Sequence, residues 1–110
     1  MTDCTQALDE LVGRMNTHMQ NYYKNNSVEC PDMWISRGTY TTKEGTKFVK
    51  IVREGAVVAF IEKATGNIFK PATWKAPAKG VRGNLFSEQK GDEAMQYECY
   101  GIVFVRYARG

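Results

Sequence analysis

The first quarter of the chain carries a hydrophobic stripe with the period of a helix. Its apolar side chains recur at spacings of three and four residues: Leu8, Leu11, Val12, Met15, Met19, Tyr22 and Tyr23. That period is typical of an amphipathic α-helix with one buried face, and we predict this helix from Thr5 to Lys24. The stripe fits the face of a hydrophobic core, and it also fits the seam of a homodimer or a contact with another protein.

From residue 46 the pattern changes to short runs of β-forming residues separated by turns. Thr46 to Arg53 predicts a half-buried antiparallel strand, and Ala56 to Ile61 predicts a second strand after a turn at Glu54-Gly55. A further turn, Lys63 to Gly66, places glycine where the left-handed conformation is needed and leads into a third strand from Asn67 to Lys70. The three strands together predict an antiparallel meander.

The remaining segments predict connectors and one last strand. We expect Cys30 to Ile35 to be a connector that covers one end of the core, Lys43-Glu44-Gly45 to be a turn, and Ser87 to Glu93 to be a surface loop. Tyr97 to Tyr107 is apolar on both faces, which indicates a central or doubly covered strand. The elements predict a single α+β domain over residues 1–110, with the N-terminal helix packed on an antiparallel sheet of about four strands.

Positive charge is concentrated in one stretch that follows the predicted meander. From residue 63 to residue 87 there is no acidic residue, and the five basic ones are Lys63, Lys70, Lys75, Lys79 and Arg82. This stretch is therefore +5, whereas the whole chain is only +3. Trp74 lies among these cations, and Pro71 and Pro77 restrict the backbone on either side of it. A large aromatic ring amid unopposed cations indicates a binding surface.

The same stretch resembles the signature of a family of small proteins encoded by tailed bacteriophages. In that family an apolar strand precedes the pattern Lys-Pro-Ala-x-Trp-Lys-x-Pro-Ala-Lys-x-x-Arg-Gly-Asn, which is matched here from Lys70 to Asn84, with Phe60 to Gly66 as the lead-in. The resemblance covers about residues 46 to 86. It implies a viral origin and the cytoplasm of a bacterial host, and it implies no particular mechanism.

We interpret the stretch as a site for nucleic acid or a nucleotide. Cationic side chains neutralise phosphates, an exposed indole stacks on a base, and glycine-flanked amides such as those of Gly80-Val81-Arg82-Gly83 allow a backbone to approach closely, as in the loop of KH domains. The predicted ligand-binding residues are Lys70, Trp74, Lys75, Lys79, Gly80, Arg82, Gly83 and Asn84.

Two other interpretations of this stretch stay open at the level of sequence. In the first, the segment is an irregular loop over the sheet, with Trp74 in the core and the lysine stems covering apolar surface. In the second, the protein is a non-enzymatic inhibitor or adaptor that docks on a host protein, through either the basic stretch or the first helix.

Recognisable catalytic patterns are absent from the sequence, so we expect a binding protein and not an enzyme. There is one histidine, His18, and there is no Ser-His-Asp arrangement, no zinc-protease motif and no dinucleotide fingerprint. Cys4, Cys30 and Cys99 are widely spaced, so neither a disulfide framework nor a zinc site is expected, and no cofactor is implied. No apolar run approaches the length of a membrane span, and we expect no membrane association.

Overall fold

A computed structural model describes residues 4–25, 29–97 and 102–105 of the chain. The first helix, α1, runs from Cys4–Asn25, and its buried side chains are Leu8, Leu11, Val12, Met15 and Met19. These are members of the predicted stripe, and they form one core cluster with residues of the sheet. The prediction of an amphipathic helix is therefore confirmed, and its stripe is a core face. Within the described ranges no helix has the length and apolar content needed to cross a membrane.

The main sheet has five antiparallel strands in the order of the sequence: β1 Thr41–Glu44, β2 Phe48–Arg53, β3 Ala56–Glu62, β4 Asn67–Phe69 and β5 Gly83–Asn84. Strands β2 to β4 are the predicted meander. The turns between them are also those expected, because Gly55 and Gly66 have φ values of 80° and 77°. The predicted α+β class is confirmed.

Strand register gives the sheet a core face and an outer face. Val49 and Ile51 of β2 are buried on the core face, where they pair with Ile61 and Ala59 of β3. The alternate positions form a row across the opposite side, because Lys43 pairs with Lys50, Lys50 with Phe60, and Phe60 with Phe69. We call the side that carries this row the outer face.

A second helix, α2 Pro31–Gly38, replaces the connector predicted from Cys30 to Ile35. Pro31 stands at its start. A proline is favoured there because a backbone N–H in the first helical turn has no hydrogen-bond acceptor within the helix, so its absence costs nothing. Ile35 packs against the core, whereas Trp34 is 37% exposed. The sequence pattern does not predict this helix, because eight residues make only about two turns, which is too short for a helical period to be recognised.

Strand β1 differs from the expected turn at Lys43-Glu44-Gly45, because the first two residues of that turn are the last two of the strand. All four residues of Thr41–Glu44 are exposed, so the strand shows no alternation of apolar and polar positions. Its pairing with β2 comes from backbone hydrogen bonds, which the sequence pattern does not report.

The predicted last strand from Tyr97 to Tyr107 is wrong as one element. The structure has β6 Met95–Tyr97 and β7 Val103–Val105, which pair antiparallel as a separate two-stranded sheet. Cys99 and residues 106–107 lie outside the described residues. The predicted loop from Ser87 to Glu93 is observed as a series of turns that ends in one turn of 3₁₀ helix, Asp92–Ala94.

Candidate nucleic-acid interface

Residues 70–78, here called the Trp74 loop, leave β4 and fold back on themselves. The amide of Ala78 donates to the carbonyl of Lys70 at 2.7 Å, and Pro71 and Pro77 form an isolated antiparallel bridge. The hydroxyl oxygen of Thr73 accepts hydrogen bonds from the amides of the two residues after Trp74, at 3.2 and 3.1 Å. The loop is therefore closed by its own backbone, and Trp74 and Lys75 lie at its turn.

The indole of Trp74 is packed against lysines of the outer face and remains 39% exposed. The Nζ atom of Lys50 lies 4.5 Å from the ring centroid, and that of Lys43 lies 5.6 Å from it. Both distances fall within the range of cation–π attraction. Trp74 is therefore neither a core residue nor a free side chain, because the lysines hold it while part of its surface meets solvent.

An aromatic cluster lies beneath this contact. Phe48 packs edge-on against Phe60 and Phe69, with ring centroids 5.8 and 6.0 Å apart, and Phe60 is only 1% exposed. The Nζ atom of Lys50 is also 5.8 Å from the Phe60 centroid. Lys50 thus interacts with one ring of the sheet and with the ring of the Trp74 loop, and it links the two.

Most lysines around the loop lack an acidic neighbour. Among the described residues no carboxylate lies within 4.0 Å of the ammonium groups of Lys43, Lys50, Lys75 and Lys79. Lys63 differs from them, because its Nζ atom lies 2.8 Å from a carboxylate oxygen of Glu44. The outer face and its loop therefore carry a local excess of positive charge, which attracts anions.

Arg82 is less accessible than the sequence suggested, whereas Gly80 is exposed. The amide of Arg82 donates to the carbonyl of Ile68 at 2.8 Å, so it is not a spare donor for a phosphate, and the KH-like use of this amide is wrong. The Nε atom of Arg82 is buried and has no hydrogen-bond partner among the described residues. Gly80 has a φ of 96° and open space around it, so it is required by its backbone conformation.

The two predicted site residues of β5, Gly83 and Asn84, are used in internal packing. A Cβ atom on Gly83 would lie 2.7 Å from the Cβ of Ala94. The Asn84 side chain donates to the carbonyl of Thr65 at 2.9 Å and to Oδ1 of Asn67 at 2.8 Å. These contacts explain both residue types without a ligand, and the assignment of the pair as ligand-binding stays a prediction.

Glu93 organises the segment that follows β5. Its carboxylate accepts hydrogen bonds from the Asn84 amide at 2.9 Å, the Ser87 hydroxyl at 2.8 Å and the Gly91 amide at 3.1 Å. Partial burial acts to raise the pKa of Glu93, but these bonds to the charged form outweigh it, and the pKa lies below its ordinary value.

A cluster of polar side chains joins α1 to the segment before β6. The guanidinium of Arg14 contacts the carboxylate of Asp92 at 3.1 Å, and the hydroxyl of Tyr97 donates to the same carboxylate at 2.6 Å. Burial and the neighbouring Asp92 raise the pKa of Tyr97. The ring of His18 packs edge-on against Tyr97 at 5.3 Å. Among the described residues no group of three or more potential ligands is placed to hold a metal ion.

Of the predicted site residues, the structure brings Trp74 and Lys75 together at one turn, and it directs Lys70 to a separate cavity described below. Sequence reasoning missed Lys43 and Lys50, which contact Trp74. A signal for Lys50 existed, because the alternation in β2 puts it opposite the buried Val49 and Ile51 and therefore on the outer face.

The fold and this surface define a small α+β protein with a lysine-rich, aromatic face on its sheet. The chain belongs to a family of unknown function, DUF7717, whose model matches residues 1–103. No curated protein and no solved structure matches the chain.

Proposed function

We propose that the protein binds single-stranded nucleic acid through the Trp74 loop and the adjoining outer face of the sheet. The observation that carries this proposal is the half-exposed indole of Trp74, with the ammonium groups of Lys50 and Lys43 at 4.5 and 5.6 Å from its centroid. Single-strand binding proteins combine an aromatic platform for bases with cations that follow the phosphates.

The exposed part of the indole favours an unpaired base as the stacking partner. Bases in a duplex have their faces covered by neighbouring pairs, whereas bases in a single strand can stack on an aromatic side chain. The loop is closed by its own hydrogen bonds, so the ring is held before a ligand arrives. Holding the ring in advance reduces the entropy lost on binding.

The distribution of charge favours a polymer over a mononucleotide. Lys43 and Lys50 come from the sheet, and Lys75 and Lys79 come from the loop and the segment after it. Cations on separate elements are suited to successive phosphates along a strand. Because each neutralised phosphate releases counterions, binding should weaken steeply with salt.

The test compares an aromatic variant with a charge variant. Trp74→Ala should weaken binding of a fluorescein-labelled single-stranded oligonucleotide about 5- to 150-fold, which corresponds to about 1–3 kcal/mol of lost stacking, with little change in salt dependence. Lys43→Met/Lys75→Met should lower the slope of log K against log salt by about 1.4, since each lost phosphate contact removes about 0.7. The readout is fluorescence anisotropy at several salt concentrations.

A matched control removes the same charge from elsewhere. Lys24 and Lys90 are both exposed and make no contact with Trp74, so Lys24→Met/Lys90→Met should leave the slope nearly unchanged. Equal effects of the two double variants would show a response to net charge alone and would refute the site. If the wild-type protein binds no oligonucleotide even at low salt, the proposal fails, and docking on a host protein becomes the better hypothesis.

The phage-like signature supports a setting for this activity. We propose that the chain is a phage-encoded accessory protein that acts in the cytoplasm of a bacterial host, where single-stranded nucleic acid arises during replication and transcription. The support for this setting is the match from Lys70 to Asn84.

A further inference from the structure

A cavity of about 330 Å³ lies at the end of the sheet, where the β2–β3 hairpin meets β7. Most of its wall is apolar, and the lining residues include Val57 and Val58 of β3 and Val103 and Val105 of β7. Pro71, at the start of the Trp74 loop, also lines the cavity. The volume is at the lower end of the range for small-molecule sites, so an occupant must be small.

Among the described residues of the wall, both charged groups are cationic. Arg53 and Lys70 line the cavity, and no carboxylate does so among the described residues. Tyr40 also lines the wall, and its hydroxyl is engaged with the backbone of Val103, whose amide donates to it at 2.8 Å. An occupant would therefore meet apolar side chains over most of its surface and positive charge at one part of it.

Arg53 is held in place before any ligand binds. Its Nε atom donates to the carbonyl of Gly38 at 3.0 Å, its guanidinium lies over the Tyr40 ring at 5.6 Å, and one terminal nitrogen lies 3.6 Å from the Glu54 carboxylate. The side chain is only 20% exposed. A guanidinium has five N–H donors, so these contacts leave donors unused, and its planar fork matches the two oxygens of a carboxylate.

We infer that this cavity binds a small amphipathic anion, namely a carboxylate with a short apolar tail. The tail lies among the valines of β3 and β7, and the carboxylate meets Arg53 and Lys70. This inference does not rest on the nucleic-acid proposal, because Trp74, Lys43 and Lys50 are not part of the cavity wall.

The experiment uses octanoate as the probe and the full-length protein labelled with ¹⁵N. Octanoate should give saturable amide shifts at Val57, Val58 and Val105. Octanol, which keeps the tail and lacks the charge, should have an affinity at least about tenfold lower than that of octanoate. Acetate, which lacks the tail, should give no saturable shift.

Two variants separate the roles of charge and cavity. Lys70→Met should weaken octanoate binding several-fold and leave octanol unaffected, whereas Lys79→Met, whose position is outside the wall, should change neither. Val57→Phe should abolish binding of both probes by filling the cavity while Arg53 and Lys70 remain. Its folding is checked by the dispersion of the remaining amide shifts.

The inference is overturned if octanoate gives no saturable shifts in the wild-type protein, or if octanol binds as tightly as octanoate. It is also overturned if a folded Val57→Phe variant binds octanoate normally, because the probe would then lie elsewhere. Retention of oligonucleotide binding by Val57→Phe would show that the two sites are independent, and its loss in a folded variant would contradict that separation.

Discussion

Replacing Tyr40 by phenylalanine removes the oxygen atom that hydrogen-bonds the segment between α2 and β1 to β7. Tyr40 is 2% exposed and lies between α2 and β1. Its hydroxyl oxygen accepts a hydrogen bond from the Val103 amide at 2.8 Å and lies 3.5 Å from the Val103 carbonyl. Phenylalanine fills nearly the same volume, so the change tests the hydrogen bond and not the packing.

The expected loss of stability comes from the Val103 amide, which is left without its hydrogen-bond acceptor. Val103 is 2% exposed, so its amide cannot donate a hydrogen bond to water instead when the hydroxyl is removed. An unsatisfied buried donor costs about 1–3 kcal/mol. For a domain near this size each kcal/mol lowers the melting temperature by about 4 °C, which gives an expected decrease of about 4–12 °C.

The assay is urea and thermal unfolding of Tyr40→Phe beside a matched control. Tyr23→Phe is that control, because Tyr23 is partly buried against the core and its hydroxyl makes no hydrogen bond among the described residues. Hydrogen exchange of the Val103 amide gives a local readout, since its protection should fall in Tyr40→Phe and not in Tyr23→Phe. Equal stability of the two variants would refute the reasoning.

The same tyrosine predicts a change with pH. Burial raises the pKa of Tyr40 above its ordinary value of 10.0, although the hydrogen bond with Val103 and the charge of Arg53 act against the increase. The neutral phenol therefore stabilises the fold fully below pH 10, and this contribution is lost as the pH rises through the folded-state pKa. Above pH 10 the unfolding free energy should decline more steeply in the wild-type protein than in Tyr40→Phe.

Two further predictions concern the turns around the sheet. Gly66→Ala should be less stable than Gly55→Ala in urea unfolding. Both residues have positive φ, but only at Gly66 would an added Cβ lie 2.7 Å from the Phe86 ring, whereas nothing lies within 4 Å at Gly55. Equal losses of stability would show that Phe86 moves freely. Glu93→Gln should reduce the dependence of the unfolding free energy on pH in the acid range. The lowered pKa of Glu93 stabilises the fold above pH 4.5, and this stabilisation is lost as the pH falls through the folded-state pKa. An unchanged pH dependence in the acid range would contradict the role assigned to its hydrogen bonds.

The candidate site was located by sequence but not assembled by it. The cations and Trp74 were found because they are adjacent in the chain. Asn84 belongs to the same motif, yet its side-chain amide donates hydrogen bonds to Thr65 and Asn67 of the same sheet edge. Lys43 is distant in sequence and contacts Trp74. A motif thus identifies the segment, and the register of the sheet decides which of its side chains face outward.

Local periodicity by itself determined α1 and the β2–β4 meander. A helical stripe and short strands joined by glycine turns depend only on residues that are close to one another in the sequence. Tertiary structure alone decided that β1 joins the edge of the sheet, that β6 and β7 form a separate pair, and that Lys50 lies between the rings of Trp74 and Phe60. These features depend on pairing and packing between residues far apart in the chain, and such contacts leave no periodic trace in the sequence.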